Sequence, residues 1–141
     1  MTTTTELKRF ATEFSPRFSD FDLQGILNSR QYVDILNEAR FDQMKRCYNY
    51  PIEEYVKKGQ HWVVSGLSFT FISPIYPGRP VLVHTQVVKI EGPKAYVEFS
   101  FETETKVGFK VHASGSAEYV LIDIKSKSPV DISAEEKAIF L

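Results

Sequence analysis

Two aspartates, a glycine and an asparagine stand close together near the start of the chain, in the run Phe18-Ser19-Asp20-Phe21-Asp22-Leu23-Gln24-Gly25-Ile26-Leu27-Asn28. An aspartate is ionised at neutral pH, so either carboxylate can attack a carbonyl directly or draw a proton from water. Asp22 is singled out by the helix start just downstream. A helix opening at Asn28 presents unpaired backbone N–H groups in its first turn, and such donors polarise a carbonyl and hold developing negative charge. A carboxylate beside oxyanion donors supports acyl transfer. The same residues carry a second reading, in which Asp20 and Asp22 cap the turn through Asx-type hydrogen bonds. Spacing alone leaves both open.

Other chemistries find less support. There is no phosphate-cradling Gly-rich loop. His61, His84 and His112 are far apart and outside any metal-ligand spacing, so the metal expectation is none and each His reads as structural or surface. Ser114-Gly115-Ser116 and Gly66-Leu67-Ser68 do not form a G-x-S-x-G elbow. Cys47 falls near a helix C-terminus, where the dipole disfavours a thiolate, and reads as a small packing residue.

The elements that must hold Asp22 follow from periodicity. Phe10, Thr12 and Phe14, then Arg17-Phe18, form a short strand-like run broken by Pro16, which suggests an edge or a bulge rather than a central strand. Tyr32, Ile35, Leu36 and Ala39 repeat at helical spacing and predict an amphipathic helix to about Cys47, with Asn28 as N-cap and Gln31 reaching back to complete a capping box. Pro51 opens a short polar helix or lid-like connection. From Gln60 the period becomes two: Trp62 and Val64, then Leu67, Phe69 and Phe71, with a bulge expected at Gly66. Val81 to Lys89, Ala95 to Phe101 and Phe109 to Ile124 add three further strands joined by reversals, and Ser133 starts a terminal helix. A helix followed by extended runs is an α+β arrangement, an antiparallel sheet wrapped around one long central helix.

Composition bounds the rest. The 141 residues, 43% hydrophobic, suit a single domain over 1–141. With 17 Lys plus Arg against 18 Asp plus Glu, no strong field favours nucleic acid or an anionic membrane as partner. One cysteine precludes an internal disulfide, and neither Met1 to Lys8 nor any later stretch has the apolar length of a signal or spanning segment, so the expected location is cytoplasmic.

The run from Phe18 to Asn28, continued by Tyr32 and Glu38-Ala39-Arg40, resembles the hotdog-fold thioesterases of the 4-hydroxybenzoyl-CoA thioesterase family, whose signature reads approximately D-x-D-x-x-G-h-h-N-x-x-x-Y-x-x-x-x-E-x-A-R. The likeness extends through Ser73-Pro74-Ile75-Tyr76-Pro77-Gly78 and Ala117 to Asp123. The resemblance implies a hotdog fold, assembled as a homodimer or homotetramer with active sites at the subunit interface. It implies an acyl-CoA thioesterase that yields free acid and CoA without cofactor. Asp22 matches the catalytic nucleophile or general base. Gly25, Asn28, Ser29 and Tyr32 match the substrate-binding positions, the amides near Asn28 and Ser29 polarising the carbonyl. Tyr32, Glu38 and Arg40 also read as packing and interface support. Ile26 stands where many relatives have His, which removes a histidine-assisted step at that position. For CoA phosphates, Arg79, Lys89, Lys106 and Lys110 are candidates. An acyl-carrier-protein thioesterase and a non-catalytic acyl-thioester-binding module are the alternatives.

Overall fold

The computed structural model describes residues 7–141; the first six residues of the Met1 to Lys8 stretch lie outside them. Strand β1 spans Arg9–Phe14, and helix α1 spans Gln31–Arg46. A short helix α2, Ile52–Lys57, follows. Strands β2 (Gln60–Phe71), β3 (Val81–Glu91), β4 (Lys94–Thr105) and β5 (Gly108–Asp123) come next, and helix α3, Ala134–Phe140, closes the order with Ser133 as its side-chain cap. The five strands make one antiparallel sheet in the order β1-β3-β4-β5-β2.

The sheet curls around α1 because its inward positions are apolar at period two while α1 is apolar at period 3.6. Tyr32, Ile35, Leu36 and Ala39 pack with Val81 and Val83 of β3, Phe99 and Phe101 of β4, and Ala113 and Ala117 of β5. A second cluster lies toward the other end of α1, where Met44 and Tyr48 meet Tyr55, Val87, Val97, Leu121 and Phe140. Both ends of α1 are therefore fixed on the sheet. Leu36, with no exposed surface, lies in the first cluster, so Leu36→Ala is expected to cost about 2–5 kcal/mol.

The expected bulge is present: the β2–β5 register shifts between Val64 and Gly66. The expected cap is not. Helix α1 begins at Gln31, its N-cap position is Arg30 in a helical conformation, and no side chain caps it. Asn28 acts one step earlier, its Oδ1 accepting from Arg30 N at 3.0 Å and its carbonyl from Gln31 N at 2.9 Å. This Asx turn winds the chain into the helix, and among the described residues Gln31 makes no reciprocal side-chain bond. Among these residues no helix is long and apolar enough to cross a membrane.

Candidate active site

The loop between β1 and α1 is built by its own backbone. Phe21 and Leu27 form an antiparallel bridge, and the reversal between them closes through Asp22 N to Ile26 O at 2.9 Å and Gly25 N to Asp22 O at 3.0 Å. Gly25 takes φ +78°, a left-handed value that disfavours a side chain, although open space surrounds the place of a Cβ. The turn itself thus requires a glycine here.

Within this reversal the half-exposed Asp22 uses one carboxylate oxygen. Its Oδ1 accepts from Gln24 N at 2.8 Å and from Ile26 N at 3.3 Å. Its Oδ2 makes no hydrogen bond among the described residues. Oδ1 thus fixes the turn and the carboxylate's direction, as the turn-capping reading expects, and the loop makes no claim on Oδ2. Asp20 is different. It is 2% exposed, its Oδ2 accepts from Arg17 N at 2.6 Å, and its carbonyl accepts from Asn28 N at 2.9 Å. Asp20 ties the loop to the approach of α1.

These bonds sort the amides at the helix start. The N–H groups of Asn28, Arg30 and Gln31 are occupied, whereas that of the exposed Ser29 has no partner among the described residues. Tyr32 lies in the core at 3% exposure, edge-on to Phe71 and to Phe101 with ring centroids 5.0 Å apart in each pair. Burial pushes its phenol above the ordinary value. Glu38 is exposed on the outer side of α1 and Arg40 is buried.

Sequence reading missed the tether behind this loop. Leu27 N donates to Ile75 O at 2.8 Å, and the segment carrying Ile75 is held by the buried His112 of β5. Nδ1 of His112 lies 3.1 Å from Pro74 O and 3.0 Å from Ser73 Oγ, and its Nε2 lies 2.7 Å from Thr103 Oγ1. A carbonyl oxygen only accepts, so Nδ1 carries the proton and Nε2 accepts from Thr103. The only sequence signal was the adjacency of Ser73-Pro74-Ile75, because the partners lie on distant strands.

The cation candidates separate. Lys89 pairs with Glu91 at 2.8 Å. Arg79 donates to Glu104 O at 3.2 Å, which brings it to the β4–β5 reversal where Lys106 and Lys110 stand. No group of three metal-binding side chains occurs among the described residues.

A curved antiparallel sheet around one helix, with its carboxylate-bearing loop leading into that helix, defines a hotdog-fold thioester hydrolase. The sequence profile of the thioesterase-like superfamily matches residues 16–140, and the chain belongs to that superfamily. Among solved structures it is similar to a DHNA-CoA thioesterase from Staphylococcus aureus, with a TM-score of 0.83 and 18% identity over 94% of this chain and 88% of that one. It is also similar to a 1,4-dihydroxy-2-naphthoyl-CoA thioesterase from Synechocystis, with a TM-score of 0.78 and 14% identity over 94% and 96% of the two chains. A third similar structure is an aspartate-to-asparagine mutant of 4-hydroxybenzoyl-CoA thioesterase complexed with 4-hydroxybenzoyl-CoA, with a TM-score of 0.83 and 12% identity over 94% and 99%. No curated protein is a significant match in sequence.

Proposed function

We propose that this protein hydrolyses an acyl-CoA or aryl-CoA thioester to the free acid and CoA, with Asp22 as the catalytic carboxylate. The observation that carries this reading is the division of labour in Asp22, where Oδ1 is pinned by two loop amides and Oδ2 has no hydrogen bond among the described residues. A carboxylate aimed by its own turn loses little entropy on reaching a reacting carbonyl, which favours either direct attack or activation of water. The unoccupied Ser29 N–H is the donor we assign to the thioester oxygen; Gly25 shapes the turn, Asn28 winds the helix start, and Tyr32 supports them from below as one wall of the acyl site. Arg79, Lys106 and Lys110 are the cations we assign to the CoA phosphates.

We further propose a homodimer formed through β2. This strand is an edge of the sheet, none of its residues is buried, and Val63, Val64, Leu67 and Phe71 are exposed along it. A long apolar edge strand is an aggregation hazard unless something covers it, and a second copy of the same edge does so by symmetry.

A thiol-release assay across short, medium, long and aromatic acyl-CoAs, with Asp22→Asn beside the unaltered protein, tests the activity. Turnover is expected to fall at least ~10²-fold in the variant, about 2.7 kcal/mol of transition-state stabilisation. Unchanged turnover in a folded variant refutes the assignment of Asp22, and absence of turnover with every ester refutes the activity.

A further inference from the structure

The β4–β5 hairpin outruns the sheet that carries it. Toward this end the last β3 residue paired with β4 is Leu82, opposite Glu102, and β2 ends with Phe71 opposite Ala113. Beyond those pairs β4 and β5 continue as a two-stranded arm, from Thr103 opposite Lys110 to Thr105 opposite Gly108, closed by Lys106-Val107. From Thr103 to Val107 the arm reaches about 13 Å, at ~3.3 Å per residue.

Its apex is apolar and exposed. Val107 is 98% exposed at the turn, Phe109 57% and Val111 38%. Phe109 and Val111 stand two apart on β5 and share one face, and Lys110 between them takes the other. Charge is gathered at the same place. Arg79, Lys106 and Lys110 are exposed, and none has an ion-pair partner among the described residues. Arg79 joins the arm by donating to Glu104 O at 3.2 Å. Glu104 is the single carboxylate from Thr103 to Val111, so the near-zero net charge of the chain conceals a locally basic end.

The form of the arm favours one kind of partner. A stable protein contact buries about 800 Å² on each side, spread over roughly 20–30 residues, and a narrow arm with three exposed apolar side chains has no such surface. A bilayer asks for no matching shape. Apolar side chains enter the boundary between headgroups and acyl chains, ~5–10 Å deep, while flanking cations stay with the lipid phosphates. The reach of the arm covers that depth, and its open backbone edges remain in the hydrated headgroup layer, where water satisfies them.

We propose that this arm docks the protein on an anionic bilayer surface, with Val107 and Phe109 in the headgroup–acyl boundary and Arg79, Lys106 and Lys110 on lipid phosphates. CoA phosphates offer these cations the same chemistry, so CoA and lipid are alternative occupants of them; the apolar apex serves lipid alone. The docking does not rest on thioester cleavage and is measured without substrate.

The intact protein is sedimented with vesicles of pure phosphatidylcholine, or of phosphatidylcholine with about 30% phosphatidylglycerol. The bound fraction is expected to be at least about fivefold higher on the anionic vesicles, and to fall as salt shortens the screening length from ~10 Å to ~3 Å. Val107→Ser combined with Phe109→Ser removes the apolar apex, keeps every charge, and should lower binding at least about fivefold. Val107→Ser alone, at a side chain that packs on nothing, keeps the melting temperature and should lower binding in the same direction. Equal binding to the two vesicle types, or binding to neither, overturns the proposal. Undiminished binding by the folded variants also overturns it. A change in their oligomeric state without vesicles would assign the apex to a second copy of the chain and overturn it as well.

Discussion

At the scale of single residues, the candidate site is a matter of what each polar atom is already doing. Asp22 would be an ordinary turn former if both its oxygens were bonded to the loop; one is and one is not. Gly25 follows from the same turn. At φ +78° an alanine is strained by about 1 kcal/mol or more, and the strain falls on the amides that aim Asp22. Gly25→Ala is therefore expected to lower the melting temperature by a few degrees and turnover by more than this loss of stability explains. Thiol release measured well below the melting temperature separates the two effects. The presence of Asp22, Gly25 and Asn28 in one turn was legible in the sequence because all their partners lie within a few positions. The open Ser29 amide was not, since knowing which N–H groups find no partner among the described residues requires the folded loop, with its bond from Asn28 N across the reversal to Asp20 O and the turn at Arg30.

At the scale of elements, the loop is steadied by a clamp from the far side of the sheet. His112 on β5 holds Ser73 and Pro74, and Ile75 in turn receives Leu27 N. Burial depresses the His112 pKa below its ordinary 6.5, so the folded clamp stays neutral where the unfolded chain begins to take up a proton. The unfolded state then binds more protons than the native one. Stability is complete above about pH 6.5 and declines as the pH falls below it toward the depressed native value. His84 is shifted in the same direction by burial, opposed by Glu102, so a comparison is needed to isolate the clamp. His112→Asn keeps a donor and an acceptor without titrating; its melting temperature should drop less between pH 7.5 and 5.5 than that of the unaltered protein. An equal drop in both would remove His112 from the explanation. The strands and helices themselves were readable from hydrophobic period, including the Gly66 bulge; for β1 the sequence left an edge or a bulge open, and the sheet makes it an edge. The contacts of Arg40 with Thr85 and of His112 with Thr103 and Pro74 were not, because each joins elements whose adjacency only the folded sheet creates.

At the scale of the whole molecule, β2 should govern assembly. A lysine at Leu67, exposed on that edge, places a charge where a second copy would pair, so Leu67→Lys is expected to shift a dimer to monomer in sedimentation. A dimer unchanged by this substitution would direct attention to another surface. Strand order also bears on the time course of folding. Turns of two residues, Gly92-Pro93 and Lys106-Val107, join β3 to β4 and β4 to β5, so these three strands can zip together locally. The pairing of Phe14 with Val81 must instead close a loop containing α1, α2 and β2. Such a closure costs entropy before it gains contacts, which places β1 among the last strands to dock. The loop holding Asp22 leaves directly from β1, so the turn we propose as catalytic should be completed late, after the central meander is already protected from hydrogen exchange.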